Sequence, residues 1–247
     1  MPAFISHMVM AYDVYDKIDK NKVNLEYMLT YSLGGDLCKY AKCRYDSHHK
    51  YQDIFIDNMV KYIKDNNLIY DKEIIGVLYG HICHHIMDNT IHPLIKKVES
   101  LCVSNKRNHT LIEEYYDRYL LKRRFNINIK EYLNRGVLNA KVDKKIAKML
   151  DYAYLETYHT KNVSKYYKFN LLLYRLLRNI YLMFNNHLIE KISGLTKFLN
   201  NNNIDLVNGD KKIAYRNYTK KASTESLNEL YNKCLDRSIS YIDRLNI

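Results

Sequence analysis

The chain has 247 residues, of which 47% are hydrophobic, so it can bury a sizeable core and is not a disordered segment. It contains only seven glycines and two prolines. Sandwiches and barrels need many turn residues, so this composition favours long helices. The net charge of +12 favours phosphate-bearing partners such as nucleic acid, nucleotides or anionic lipid without choosing among them. The basic residues are spread along the chain, which is typical of a solvated surface.

Cysteine usage and the N-terminal segment indicate the compartment. The five cysteines are odd in number and form no CxxC pair, so we predict no disulfide framework. The first 20 residues lack the basic and apolar regions of a secretion signal. No run of 18 uncharged apolar residues predicts a membrane span. We therefore expect a cytoplasmic protein, although a processed, secreted form would leave the same sequence.

Apolar residues that recur about every 3.6 positions predict helices throughout the first half of the chain. One of them is apolar on nearly all sides and is therefore expected to be central. A proline follows this helix and is expected to kink it or to open the next one. The predicted elements are Pro2 to about Lys17, Leu25 to Leu33 ended by Gly34-Gly35, a helix marked by Ile54 to Ile63, the apolar helix Ile74 to Ile91 before Pro93, and a helix from about Asn108 to Leu121.

The sequence of the second half of the chain also predicts helices, but it shows no obvious catalytic or metal site. Asp143 to Tyr158 reads as one helix, and an apolar stripe from Phe169 to Met183 marks another. Such a stripe can lie on a membrane surface, but its polar side is not densely basic, so packing into the core is favoured. Asn-rich segments at 200–203 and 208–210 predict loops. A capping box at Ser226 opens a last helix.

The clearest chemical signal is a run of metal-ligand residue types in the central helix. His84, Asp88 and His92 recur every four residues, and each such step turns only about 40° around a helix, so all three share one face. His109 and Glu113 repeat the same spacing. Imidazole and carboxylate groups at helical i, i+4 spacing commonly bind zinc.

A single HxxxD motif is weak and is more often a satisfied polar pair. Here three polar groups lie in the most apolar helix of the chain. Burying them without partners would cost several kcal/mol, and a shared cation removes that cost. The combination of HxxxDxxxH with HxxxE therefore favours a metal site.

At these residues the sequence resembles the zinc-dependent phospholipase C family. Its members carry an early histidine, a turn ending in aspartate, a further histidine, HxxxD with a following histidine, and HxxxE. The resemblance covers residues 1–120 and is fainter at STESLNEL near the C-terminus. This chain offers the same order: His7 in MPAFISH, Asp36 in LGGD, His48 or His49 in DSHHKYQDIF, His84, Asp88, His92, His109 and Glu113.

The resemblance implies an all-α, single-domain, multi-helix bundle of the zinc-dependent phospholipase C and single-strand nuclease type. The domain would span residues 1–247, with the metal site in 1–120 and a packing half in 121–247. It would hold two to three zinc ions. The implied ligand sets are Asp36, His48 (or His49), His84 and Asp88 for one ion; His92, His109 and Glu113 for a second; and His7 with a bridging Asp88 for a third.

Four further histidines lie near these positions, and the resemblance bears on two of them. His48 is preferred to His49 because Phe55, seven residues on, fits the family's spacing to its next helix. His81 and His85 point away from the ligand face, so packing or hydrogen bonding is expected of them.

The implied activity is phosphoester hydrolysis of the phospholipase C kind, in lipid metabolism, with a phospholipid substrate and peripheral contact with membrane. Asp36 would orient or deprotonate a metal-bound water. Asp117, four residues after Glu113, would support the ligands from behind or face solvent. A zinc nuclease, a nucleotide phosphodiesterase and an inactive structural relative remain alternatives. The related nucleases usually begin with tryptophan, and this chain has none.

Overall fold

The structure, a computed structural model, describes residues 4–43, 50–103, 107–184, 194–202 and 208–247. The described residues are mostly helical, which confirms the predicted all-α class. Five cysteines are free. The α-helices are α1 (Phe4–Tyr15), α2 (Leu25–Tyr31), α3 (Gln52–Asp65), α4 (Lys72–Leu101), α5 (Asn108–Phe125), α6 (Ile129–Leu133), α7 (Lys144–Tyr158), α8 (Ser164–Met183), α9 (Leu195–Asn201) and α10 (Leu227–Leu245), and a 3₁₀ helix spans Gly34–Cys38.

The central element is α4, which packs against α1, α2, α3, α5 and α10. All residues from Ile74 to Asp88 are buried, as the apolar pattern predicts. Gly80 lets α2 approach closely, because a Cβ there would lie 2.7 Å from the carbonyl oxygen of Met28. The close contact places the 3₁₀ helix that follows α2 against the middle of α4.

Of the two outcomes predicted for Pro93, a kink or the start of a new helix, the second is wrong. α4 continues through this residue for 30 residues in all. A proline inside a helix removes one backbone hydrogen bond and costs about 3 kcal/mol. Ile91, Leu94 and Ile95 beside it are buried, and burying such side chains gives about 1.5–3 kcal/mol each. Tertiary packing therefore outweighs the local penalty, and the helix carries its ligand face without interruption.

A short hairpin joins the C-terminal helix to the rest of the fold. Strands β1 (Ile213–Arg216) and β2 (Ala222–Glu225) pair antiparallel, and β1 lies against α4. Their sequence is too short to show a strand pattern. Ser226 then caps α10, with the reciprocal bonds of a capping box to Glu229, as predicted.

The predicted core packing of the α8 stripe is wrong. Phe169, Leu172, Leu176, Ile180 and Met183 are exposed. Periodicity shows that a helix has an apolar face, but it does not show what that face contacts. Among the described residues, no helix combines the length and the apolar character that a membrane span requires, which agrees with the sequence.

Asp71 is the N-cap residue of α4, and its contacts show what stabilises the start of this helix. Its side chain accepts hydrogen bonds from the backbone N–H groups of Glu73 and Ile74, and Lys145 Nζ lies 2.7 Å from Asp71 Oδ2. Burial opposes ionisation, but Lys145 and the backbone donors lower the pKa of Asp71 below its ordinary value. The stabilisation is therefore present above the ordinary carboxylate pKa and is lost as the pH falls through the folded value.

We expect Asp71→Ala to lower the free energy of unfolding by about 1–2 kcal/mol, because a helix cap is lost. Asp71→Asn keeps the acceptor and should cost less than half of that. Urea denaturation at neutral pH measures both. The difference in the free energy of unfolding between wild type and Asp71→Asn should become smaller in acid. A difference that does not change with pH would contradict the assigned ion pair.

Candidate metal centre

Asp88 lies at the centre of a cluster of histidines from two helices. Its Oδ1 is 3.3 Å from His7 Nε2 of α1 and 3.3 Å from His92 Nδ1 of α4. Its Oδ2 is 3.3 Å from His84 Nε2, one turn earlier on α4. The carboxylate is buried, 5% exposed. One buried carboxylate thus faces three imidazole nitrogens.

The spacing of these atoms fits ligands that share a cation. Hydrogen bonds from N–H to oxygen are most often about 2.9–3.0 Å long, shorter than the three contacts of Asp88. Two ligands of a tetrahedral zinc ion, each about 2.0–2.1 Å from it, are about 3.3 Å apart. His7 Nδ1 is also buried without a hydrogen-bond partner in the described part of the chain. The donor set and its spacing therefore suit zinc.

Two sets of ligand atoms converge around Asp88. In one, a nitrogen of His7, a carboxylate oxygen of Asp36 and a nitrogen of His84 all lie within 4.8 Å of one another. In the other, His92, His109 and Glu113 meet the same condition. The structure thus places His7 beside Asp36 and His84 as well as beside Asp88, the residue with which the resemblance pairs it. His48 and His49 lie outside the described residues.

The tautomer of His84 is fixed by the end of α2. Its Nδ1 donates to the carbonyl oxygen of Ser32, 3.1 Å away, because a carbonyl can only accept. Nε2 then presents its lone pair to the Asp88 side of the cluster. A hydrogen bond to the far nitrogen of this kind orients metal-binding histidines and raises their basicity.

Gly34 lets the turn that carries Asp36 lie directly on His84. Its φ is +43°, and a Cβ there would lie 2.3 Å from the His84 ring atoms Cγ and Cδ2. The LGGD motif therefore has a steric role: the first glycine of the 3₁₀ helix makes room for the imidazole. This contact brings Asp36 to the cluster.

We expect Gly34→Ala to destabilise the protein by about 2 kcal/mol or more, because it combines an unfavourable φ with a clash. It should also weaken metal binding, since the His84 ring has to move. Gly136→Ala is the matched control: its φ is +75°, but its Cβ would meet only the Asn139 side chain, 3.1 Å away. Thermal unfolding measures the loss of stability in each variant, and metal titration measures the metal affinity. Equal metal affinity in Gly34→Ala and Gly136→Ala would contradict the role of Gly34.

Glu99 orients the second group of ligands and was missed at the sequence level. Its Oε2 accepts from His109 Nδ1 at 3.1 Å, while His109 Nε2 is 3.1 Å from Glu113 Oε1. Glu99 belongs to the last turns of α4 and His109 to the start of α5. No sequence spacing signals a contact across the connection between two helices.

Asp117 does not face solvent, which removes one of the two alternatives that the sequence left open for it. It is buried, and its Oδ1 accepts from the backbone N–H of Ser6 at 2.7 Å and from the Ser6 hydroxyl. Burial raises the pKa of Asp117 to about 7. Because Ser6 precedes His7, Asp117 fixes the position of α1 and so of its ligand.

Tyr174 of α8 borders the cluster and was also missed. Burial and the nearby charges of Asp36 and Glu113 raise the pKa of its hydroxyl, so it stays a neutral donor. Its ring packs 5.9 Å from that of Phe4. The apolar periodicity of α8 gave no reason to single out this position.

The acids and histidines of the cluster balance each other's charges. Burial opposes ionisation of Glu113, but hydrogen bonds from His109 and His92 lower its pKa to about 2. Burial also opposes charge on His92, but Asp88 and Glu113 raise its pKa to about 9. Bound protons therefore supply the positive charge that a metal ion would otherwise supply, and metal binding would release them.

His81 and His85 lie away from this face, as expected. His81 Nδ1 donates to the Val77 carbonyl at 2.9 Å, and Nε2 accepts from the Tyr167 hydroxyl at 2.8 Å. Burial lowers the pKa of His81 to about 4. His85 lines a separate groove between α3, α4 and α10. Hydrogen bonding thus accounts for His81, and His85 packs edge-on against the Phe55 ring, 5.8 Å away.

Comparisons with protein-family models, with curated proteins and with solved structures find no match to this chain.

Proposed function

We propose that this cluster is a zinc centre of two to three ions and that the chain is a zinc-dependent phosphoester hydrolase of the phospholipase C kind. The observation that carries the proposal is Asp88, a buried carboxylate 3.3 Å from each of three histidines. A bridging carboxylate between close cations would have these neighbours. The helical bundle, with the site on its central helix, agrees with the fold that the resemblance implies.

Two ligand sets follow from the geometry. His7, Asp36 and His84 would hold one ion and His92, His109 and Glu113 another, with Asp88 shared between them. The resemblance implies His48 or His49 as a further ligand beside Asp36 and His84, and a third ion at His7 with Asp88 as a bridge. Bound zinc lowers the pKa of a coordinated water and neutralises charge on phosphate oxygens.

The chain's own groups would position the substrate and move the proton. Asp36 is half-buried, so its carboxylate can reach both the buried ligands and a water at the mouth of the site. There it would accept the proton of that water. Tyr174, kept neutral, can donate a hydrogen bond to a phosphate oxygen. The excess of basic residues over acidic ones, +12 in net charge, favours the approach of an anionic substrate.

Metal analysis combined with three substrates tests the proposal. Purified protein is analysed for zinc and then incubated with a choline phospholipid, a generic phosphodiester and single-stranded DNA. We expect two to three zinc ions and release of the phosphorylated head group from the lipid. Cleavage of the DNA alone would assign a nuclease instead, and bound zinc without any hydrolysis would indicate an inactive relative.

Asp36→Asn tests a residue that is proposed both as a metal ligand and as the base, so the zinc content is measured together with the rate. The amide cannot accept the water's proton, so hydrolysis should fall by about 10²-fold or more, the usual contribution of a positioned base. Asp57→Asn, at an exposed carboxylate on α3, is the matched control and should leave the rate unchanged. Equal rates in both variants would remove Asp36 from the proposed chemistry.

A further inference from the structure

The α8 face is an apolar surface that the fold leaves exposed. It consists of Phe169, Leu172, Leu176, Ile180 and Met183, which are between 41% and 83% exposed. Their spacing of three and four residues places them on one side of the helix. The opposite side of α8 carries Tyr167, Asn170 and Leu171, which are buried.

The α8 face is continuous with a neighbouring aromatic residue. The ring of Tyr40, itself 55% exposed, lies 5.9 Å from that of Phe169. Phe184, the residue after the end of α8, is also exposed. Large apolar side chains exposed elsewhere in the described residues are scattered over other elements. Single exposed apolar residues are normal, whereas a contiguous patch marks a binding surface.

The charge of α8 indicates what that surface would bind. The helix contains four basic residues and no acidic one. Lys165 and Lys168 are exposed beside the first turns of the α8 face. Arg175 and Arg178 instead donate to backbone carbonyl oxygens, among them those of Leu138, 2.7 Å from Arg175 Nε, and Val137. The exposed lysines are thus the cations available to an outside partner.

We propose that the α8 face docks on an anionic lipid surface, with its apolar side chains at the boundary between head groups and acyl chains. A helix with an apolar face, lysines beside it and no acidic residue binds to anionic lipid surfaces in this way. A second copy of the same helix would supply no carboxylate to pair with Lys165 and Lys168. The α8 face lies opposite the buried Tyr167, Asn170 and Leu171 and contains none of the proposed metal ligands, so docking does not depend on the proposed hydrolysis.

Vesicle binding tests the proposal without reference to catalysis. The full chain is sedimented with phosphatidylcholine vesicles that contain or lack phosphatidylserine. We expect binding that increases with phosphatidylserine and decreases with added salt. Leu172→Ser combined with Leu176→Ser should lower the partition coefficient by about tenfold or more, because two apolar side chains no longer enter the interface.

Two further variants test which residues contribute to vesicle binding. Ile54→Ser changes an exposed apolar residue of α3 outside the α8 face and should leave binding unchanged. Lys165→Gln combined with Lys168→Gln should lower the partition coefficient about tenfold on phosphatidylserine vesicles and far less on neutral ones. Circular dichroism confirms that each variant is folded.

Failure of the wild type to bind the vesicles, or equal binding by wild type and the double serine variant, would overturn the proposal. So would light scattering that shows a wild-type dimer and a monomeric double serine variant, because the α8 face would then join two copies of the chain. Zinc content and hydrolysis of a soluble phosphodiester are measured in parallel. They test the metal centre, and neither result depends on vesicle binding.

Discussion

Asp88→Asn is expected to remove about one zinc ion per chain and nearly all hydrolysis, while the helices remain folded. The substitution keeps the size of the side chain but deletes the negative charge that faces His7, His84 and His92. Two cations about 3.5–4 Å apart repel each other, and a shared carboxylate offsets that repulsion. Zinc analysis, circular dichroism and a hydrolysis assay on the same sample measure the three effects.

Asp117→Asn is the matched comparison. Asp117 is as deeply buried as Asp88 and lies near the same ligands, but it contacts Ser6 and not a histidine. An amide oxygen can still accept the bond from the Ser6 backbone. We therefore expect a full zinc content and at most a modest loss of rate. Full metal content and full rate in Asp88→Asn would show that the cluster is an ordinary buried polar network.

Removal of zinc is expected to lower the melting temperature markedly. The ligands come from α1, the 3₁₀ helix, α4 and α5, so binding ties together segments that are far apart in sequence. A ligand at 100 times its dissociation constant stabilises a protein by about 2.7 kcal/mol. In a domain of this size, that corresponds to about 5–10 °C for each site.

Differential scanning fluorimetry with and without a chelator measures this shift, and metal analysis verifies that zinc has been removed. Added zinc in excess of the chelator should restore the original melting temperature, whereas magnesium should not, because magnesium prefers oxygen ligands. An unchanged melting temperature after verified metal loss would contradict a zinc-linked fold. The Asp88→Asn variant should show a smaller shift than wild type.

The sequence predicted local features well. The helix that starts at Asn108, the capping box at Ser226 and the central position of α4 follow from short-range patterns. The i, i+4 spacing also places His84 and His92 on either side of Asp88, because helix geometry leaves no other arrangement.

Features that depend on tertiary contacts were not predicted. Pro93 would end an isolated helix, but packing of its neighbours keeps α4 intact. The approach of Glu99 to His109 requires two helices to pack side by side. Tyr174 comes under the charge of Asp36 because α8 packs against the 3₁₀ helix. The exposure of the α8 face likewise depends on which surfaces the other helices cover.

The position of three ligands on the single helix α4 has a consequence for folding kinetics. Its three ligands lie at a sequence separation of four and eight residues, so they come into register as soon as the helix forms, without closure of a long loop. Helix formation takes about a microsecond, whereas His7 and Asp36 have to arrive from distant parts of the chain. Zinc present from the start of refolding is therefore expected to bind a partly folded chain and to raise the refolding rate, which stopped-flow fluorescence measures. Zinc added after folding should slow unfolding alone.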